Sequence, residues 1–153
     1  LEFKEFKFKC SIGKNGLKKN KIEGDKSTPI GIFDLGIVYY RADHITKPLT
    51  LLKKKIIKKN TAWCNDPSSK FYNKEIKVNK LINHEKLYRR DHKYDIILVI
   101  KYNYKKTVSG LGSAIFIHLT KNYRPTAGCI AIKKNDFLIL LKLLEKKNKI
   151  KIS

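Results

Sequence analysis

Acidic residues, arginine, cysteine and long apolar runs are all scarce in this chain of 153 residues. No window is apolar and uncharged for long enough to span a bilayer, which excludes a membrane-spanning helix. The opening LEFKEFKFKC alternates charged and apolar side chains and lacks the continuous apolar stretch of a secretory signal. Because the chain opens on Leu rather than Met, that lack says little about location. The three cysteines, Cys10, Cys64 and Cys129, cannot all pair within the chain. With no CxxC and no Cys/His group at metal-ligand spacing, neither a structural zinc site nor any other metal site is expected. His84 and His92 stand eight residues apart, a spacing that suits a ligand pair on neither a helix nor a strand.

The 13 acidic residues face 35 lysines and arginines, for a formal net charge of +22. Such an excess points toward a polyanionic partner. Yet only Arg41, Arg89, Arg90 and Arg124 are arginines, and the lysines are spread along the chain instead of gathered into one arm. Lysine, isoleucine and asparagine are abundant together, as codon drift in an AT-rich genome produces. The basic-aromatic interleaving that stacks bases is missing as well, so no nucleic-acid partner is expected.

A hydrophobic fraction of 42% supports a folded protein, and this length suits one domain over 1–153. FKFKC (6–10) has the period of a strand, and GIVYYR (36–41) is a second strand candidate after the Gly/Pro-shaped stretch at 22–36. Residues 49–58 fit helix or strand. Residues 61–73 have no apolar period and read as an ordered surface loop, and 80–90 suit a short helix. YDIILVIKYN (94–103), AIFIHL (114–119) and CIAIK (129–133) read as buried strands. NDFLILLKLLEKK (135–147) switches to helical spacing, with Asn135 or Asp136 as its cap and lysines at its end. The pattern predicts one mixed, strand-rich domain without repeats or linkers.

The segment IFIHLTKNYRPTAGCIAI (115–132) carries the chemistry. A cysteine is a strong nucleophile only as thiolate and needs a nearby base. Two adjacent strands joined by a ten-residue connection place His118, near the end of one, within hydrogen-bonding reach of Cys129, at the start of the next. Gly128 allows a turn closed to other residues, and backbone N–H groups around 127–129 offer an oxyanion hole. Taken alone, the pair reads first as a buried core histidine and a core cysteine, ahead of a catalytic pair.

The surrounding residues resemble the active-site segment of the L,D-transpeptidase catalytic domain family (YkuD-like), in which a His on one strand is followed by Ser/Thr-x-Gly-Cys. His118, Thr126, Gly128 and Cys129 match it. Upstream, Gly24, Asp25, Thr28, Pro29, Gly31 and Phe33 match the family's Gly-Asp…Thr-Pro-x-Gly-x-Phe stretch. AWCNDPSSKFYN and EKLYRRDHKYD resemble segments of one branch, and the likeness runs from about Cys10 to Leu144. Ala127 and Ala131 stand where many members carry His and Arg.

The resemblance implies a mainly β (α+β) fold, a β-sandwich or barrel with a C-terminal helix packed on it. It implies peptidoglycan stem peptides as partner, no cofactor, and a periplasmic or wall-facing location; a monomer is expected. Cys129 would attack the carbonyl before D-alanine, His118 would move protons, and Gly128 and Cys129 N–H groups would hold the oxyanion. Thr126, Arg124 and Tyr123 would contact substrate. Thr126 would also fix the turn, with its carbonyl orienting the histidine, and Arg124 would replace the missing positive charge. The alternatives are an L,D-carboxypeptidase on the same substrate and a non-catalytic basic wall-binding module. Thr28, Pro29 and Gly31 would shape a tight turn, Trp63 would be core or pocket wall, and Asp66 and Asp91 would hold loops while pairing with Arg41, Arg89 and Arg90. In an oxidising compartment Cys10 and Cys64 could pair.

Overall fold

Alternation along the apolar strands divides their side chains between two faces, and the architecture follows from that division. In the computed structural model, which describes residues 1–153, the chain forms β1 (Glu2–Phe3), β2 (Phe6–Lys7), β3 (Cys10–Ser11), β4 (Leu17–Lys18), β5 (Thr28–Pro29) and β6 (Gly31–Tyr40). Then come β7 (Lys54–Ile56), β8 (Thr61–Cys64), β9 (Glu75–Lys77), β10 (His84–Lys86), β11 (Ile96–Ile100), β12 (Phe116–Leu119), β13 (Ile130–Ile132), α1 (Lys134–Leu143) and β14 (Lys149–Ile152). The fold is mainly β, with one short helix near the C-terminal end.

The principal sheet is seven-stranded and curls into half a barrel, in the order β14-β6-β11-β12-β13-β3, with β7 beside the second half of β6. β6 is long enough to pair β14 over Gly31–Asp34 and β7 over Val38–Tyr40. On one face, Ile96, Leu98, Ile100, Ile115, Ile117, Leu119, Ile130 and Ile132 join Phe137, Leu140 and Leu141 of α1. Fully burying one such side chain contributes about 1.5–3 kcal/mol, so α1 is held by packing. Its cap position is Lys133, which makes no side-chain cap bond, so neither Asn135 nor Asp136 caps it; Asp136 lies in the first turn and Lys142 in the last, as the helix dipole favours.

On the other face, Ile97, Val99, Phe116 and Cys129 pack with Tyr39, Trp63, Leu87 and Tyr94 under the three-stranded sheet β10-β8-β9. This corrects two expectations. TAWC of 61–73 is not surface loop but the fully buried strand β8, aperiodic because both its faces are covered. Residues 80–90 form no helix; they bend into β10, which pairs β8. FKFKC splits between β2, in a two-stranded hairpin with β1, and β3, on the edge of the main sheet. The ambiguous 49–58 contributes only β7. All three cysteines are free, so Cys10 and Cys64 do not pair: one is at the β3 edge, the other buried in β8.

Candidate active site

β12 and β13 are parallel neighbours in which His118 stands opposite Ala131 and Ile117 opposite Ile130. The expected meeting of one strand's end with the next strand's start is therefore replaced by a parallel register. Side chains of one face recur every second residue. Phe116 and His118 on β12 thus share a face with Cys129, just before β13, and Ala131 on it.

Cys129 is buried, 7% exposed as a residue. Its thiol donates to the Ala114 carbonyl at 3.2 Å and accepts from the Phe116 N–H at 3.4 Å. Burial, helped by the Glu85 carboxylate, pushes its pKa up to about 12, against the opposing pull of the Phe116 N–H and the Lys21 ammonium. His118 Nδ1 lies 2.9 Å from the Leu119 carbonyl. A carbonyl only accepts, so Nδ1 carries the proton and Nε2 is left as the ring's acceptor. Burial lowers the His118 pKa to about 4; the Leu119 carbonyl raises it, and the charges of Lys93 and Arg89 lower it further. At neutral pH the two residues are a thiol and a neutral imidazole that share a face but no hydrogen bond. The Leu119 carbonyl orients the ring, not that of Thr126, which accepts from the Lys14 N–H.

Thr126 fixes the turn before Cys129. Its hydroxyl donates to the Cys129 carbonyl at 2.6 Å and accepts from the Gly128 N–H at 3.1 Å. Gly128 has φ +139°, and a Cβ there would stand 2.9 Å from the Ser27 carbonyl oxygen, so no larger residue fits. Of the two N–H groups expected to face an oxyanion, that of Gly128 is taken by Thr126, and that of Cys129 has no partner within the protein.

A cavity of about 190 Å³ opens beside the histidine, lined among others by Glu85, Arg89, Tyr94, His118, Arg124 and Thr126. The Tyr94 ring meets the His118 ring edge-on at 5.2 Å, and its hydroxyl donates to Glu85. Ala127 and Ala131 line the same cavity, while Tyr123 does not; its ring instead lies under Lys9, 4.7 Å away. A larger cavity, about 610 Å³, is apolar, belongs to the α1 side of the sheet and does not contain His118; Cys129 lines neither cavity and lies behind Thr126, Ala127 and Ala131 of the smaller one. We assign the site to the smaller cavity because it holds the titratable groups.

The arginines divide as their neighbours dictate. Arg89 grips Asp91 through two bonds of 3.0 and 2.6 Å, as expected. Arg41 pairs with Asp43 rather than Asp66 or Asp91, and Arg90 makes no ion pair. Asp66 accepts from the backbone of Ser68 and Asn83, which holds its loop, and Trp63 is core. His44 joins His92 and Asp95 from a distant part of the sequence, and their potential ligand atoms lie within 4.8 Å of one another. Both imidazoles bond the carboxylate, at 2.7 and 3.0 Å, and the Arg41 guanidinium lies 3.0 Å from His44 Nε2, a cation that opposes metal binding. The sequence reading passed over Lys21 altogether and gave Thr28 only a turn-forming role. In the structure both stand against Gly128.

The family model of the L,D-transpeptidase catalytic domain (YkuD) matches residues 4–152. No curated protein and no solved structure matches the chain.

Proposed function

The chain belongs to the L,D-transpeptidase catalytic domain family, and on that premise we propose that it is a cysteine acyltransferase acting on peptidoglycan stem peptides through Cys129. The observation that carries the reading is the shared face of His118 and Cys129, with Nε2 of the histidine left as an acceptor.

The reaction begins from an uncharged pair. The thiol proton, held toward the Ala114 carbonyl, passes to His118 Nε2 as sulfur attacks the carbonyl joining the third stem residue to D-alanine. The Cys129 N–H stabilises the resulting oxyanion. Collapse breaks the C–N bond, His118 returns its proton to the departing amine of D-alanine, and a thioester remains. The amine of a second stem then attacks the thioester, His118 takes up one of its protons, and Cys129 leaves as thiol. The product is a 3→3 cross-link. Water in place of that amine gives a carboxypeptidase through the same thioester.

The cavity suits an anionic substrate: Arg89, Lys93, Lys121 and Arg124 line it against one carboxylate, Glu85. With alanine at 127 and 131, Arg124 is our candidate for the positive charge that holds the stem carboxylate. We further propose that the chain works as one catalytic domain, as a monomer, on the wall side of the membrane; no helix is long and apolar enough to cross one.

Incubation with a tetrapeptide-stem muropeptide, followed by mass spectrometry, tests this. D-alanine release with dimer formation supports the transferase, and tripeptide alone assigns the hydrolase. Activity surviving in Cys129→Ala overturns both.

A further inference from the structure

Lys21 is the one buried lysine in the chain, 4% exposed in a protein of net charge +22. Its side chain fills a slot between two glycines. A Cβ on Gly112 would stand 2.9 Å from Lys21 Cε, and one on Gly128 would stand 3.6 Å from Lys21 Nζ. Both glycines have positive φ, +98° and +139°, so the slot and the backbone around it require each other. The ammonium donates to Asp25 Oδ1 at 2.5 Å and to the Ile22 carbonyl at 3.4 Å. Asp25 also accepts from the N–H groups of Ile22 and Ser27, and Lys18 lies 3.6 Å from its other oxygen. Two ammonium groups on one carboxylate leave this cluster with a net positive charge.

Taking an ammonium out of water is costly and has to be offset by its partners. A loop clamp alone would not require one next to the residue that precedes Cys129. We propose that Lys21 is a positioning residue that acts through Cys129: its ammonium, fixed between Gly112 and Gly128, favours negative charge on the sulfur as the thiol gives up its proton. This rests on Cys129 being the nucleophile. Low local dielectric makes a fixed charge effective beyond direct contact. The other titratable groups around the sulfur are Glu85, Tyr94 and His118; those around Lys21 are Asp25, Lys18 and, across Gly112, the Tyr72–Glu23 pair. Glu85 opposes Lys21 at the sulfur, so removing either charge should move Cys129 in opposite directions.

The test reads sulfur reactivity, not turnover. Site-resolved mass spectrometry follows iodoacetamide alkylation of Cys129 from pH 7 to 10 in folded protein. A tenfold change in thiolate population corresponds to one pKa unit. Lys21→Met should slow alkylation about tenfold at each pH, Lys21→Arg should stay within about threefold of the unsubstituted protein, and Glu85→Gln should speed it. A folded Lys21→Met with unchanged rates overturns the proposal. Should Lys21→Met not fold, the unsubstituted protein still decides. Capping Cys129 with iodoacetate places a negative charge there, and capping with iodoacetamide does not. The ¹⁵N-labelled Lys21 ammonium resonance should differ between the two adducts, and identical resonances overturn the proposal. Failure of D-alanine release with Lys21-dependent alkylation intact would sink the enzyme reading alone.

Discussion

The Thr28 hydroxyl donates to the Gly128 carbonyl at 2.8 Å, across 100 residues of chain, and accepts from the Gly13 N–H at the same distance. Thr28 is fully buried, so both bonds lie away from solvent. Because the peptide is planar and trans, fixing the Gly128 carbonyl also fixes the direction of the Cys129 N–H, which points the opposite way. Thr28 therefore aims the one unpaired N–H of the turn, the donor proposed for the oxyanion. Thr28→Val keeps the shape and removes the hydroxyl, leaving a buried N–H and a buried carbonyl unpaired at about 1–3 kcal/mol each. We expect the urea midpoint to fall. We also expect kcat for D-alanine release to drop by about 10- to 100-fold with KM little changed, since the donor acts on the oxyanion. Thr28→Ser should recover most of both. A loss of stability without a loss of kcat would assign Thr28 to the scaffold alone.

The lowered pKa of His118 makes a second prediction, with a definite sign. Its native value is about 4 against the ordinary imidazole value of 6.5, so between those pH values the unfolded chain binds more protons than the native protein. Stability must fall as pH drops from 6.5 to 4, by roughly 3 kcal/mol for this group, since each unit is about 1.4 kcal/mol. His118→Asn removes that dependence. Urea unfolding at pH 7, 5.5 and 4 should show a smaller loss in the variant than in the unsubstituted protein. For the same reason the acid limb of kcat/KM should lie nearer pH 4 than 6.5. Parallel stability profiles for the two proteins would mean that His118 is not held neutral by burial.

Much of this was legible in the sequence, and the failures share a physical cause. β11, β12 and β13 read correctly because their apolar runs are buried on both faces, and His118 and Cys129 stood out by chemistry. β8 was missed because TAWC has no alternation when both faces are covered. The parallel pairing of β12 with β13 was missed because a ten-residue connection ordinarily favours antiparallel neighbours. Lys21 was lost among many solvated lysines, and only burial distinguishes it. The role of the Thr28 hydroxyl depends on a contact 100 residues away, which no local pattern records.

Arg124 and Tyr123, adjacent in sequence, should behave differently. Arg124 is exposed and lines the cavity beside His118. Tyr123 has φ +52°, receives nothing from the cavity and lies under Lys9 and Lys133. Arg124→Ala should raise KM for a tetrapeptide stem about tenfold while leaving stability within about 0.5 kcal/mol, as exposed sites usually do. Arg124→Lys should recover only part, because an ammonium cannot make the paired contact of a guanidinium with a carboxylate. Tyr123→Ala should leave KM unchanged. Steady-state D-alanine release on the three variants decides between them, and an unchanged KM in Arg124→Ala moves the anion site to Arg89, Lys93 or Lys121.

Asn73 links the buried strand β8 to the thiol. It is 2% exposed and has φ +57°, a conformation that asparagine tolerates better than most residues. Its amide oxygen accepts from the Trp63 indole N–H at 2.9 Å and from the Ala114 N–H at 3.1 Å. Its amide nitrogen donates to the Tyr102 and Asn103 carbonyls at 3.0 and 2.7 Å. Ala114 in turn offers the carbonyl that the Cys129 thiol bonds. Asn73→Ala orphans the buried Trp63 and Ala114 N–H groups and two half-buried carbonyls, and should lower stability by about 3 kcal/mol or more. Asn73→Asp should be worse. It keeps the two N–H donors on one oxygen but turns the other oxygen of a buried carboxylate toward two carbonyl oxygens, which repel it and cannot donate. Where Asn73→Ala still folds, the freed Ala114 segment should loosen its hold on the thiol, and Cys129 should alkylate faster than in the unsubstituted protein. An unchanged alkylation rate in that folded variant would show that β8 supports the fold without holding Cys129.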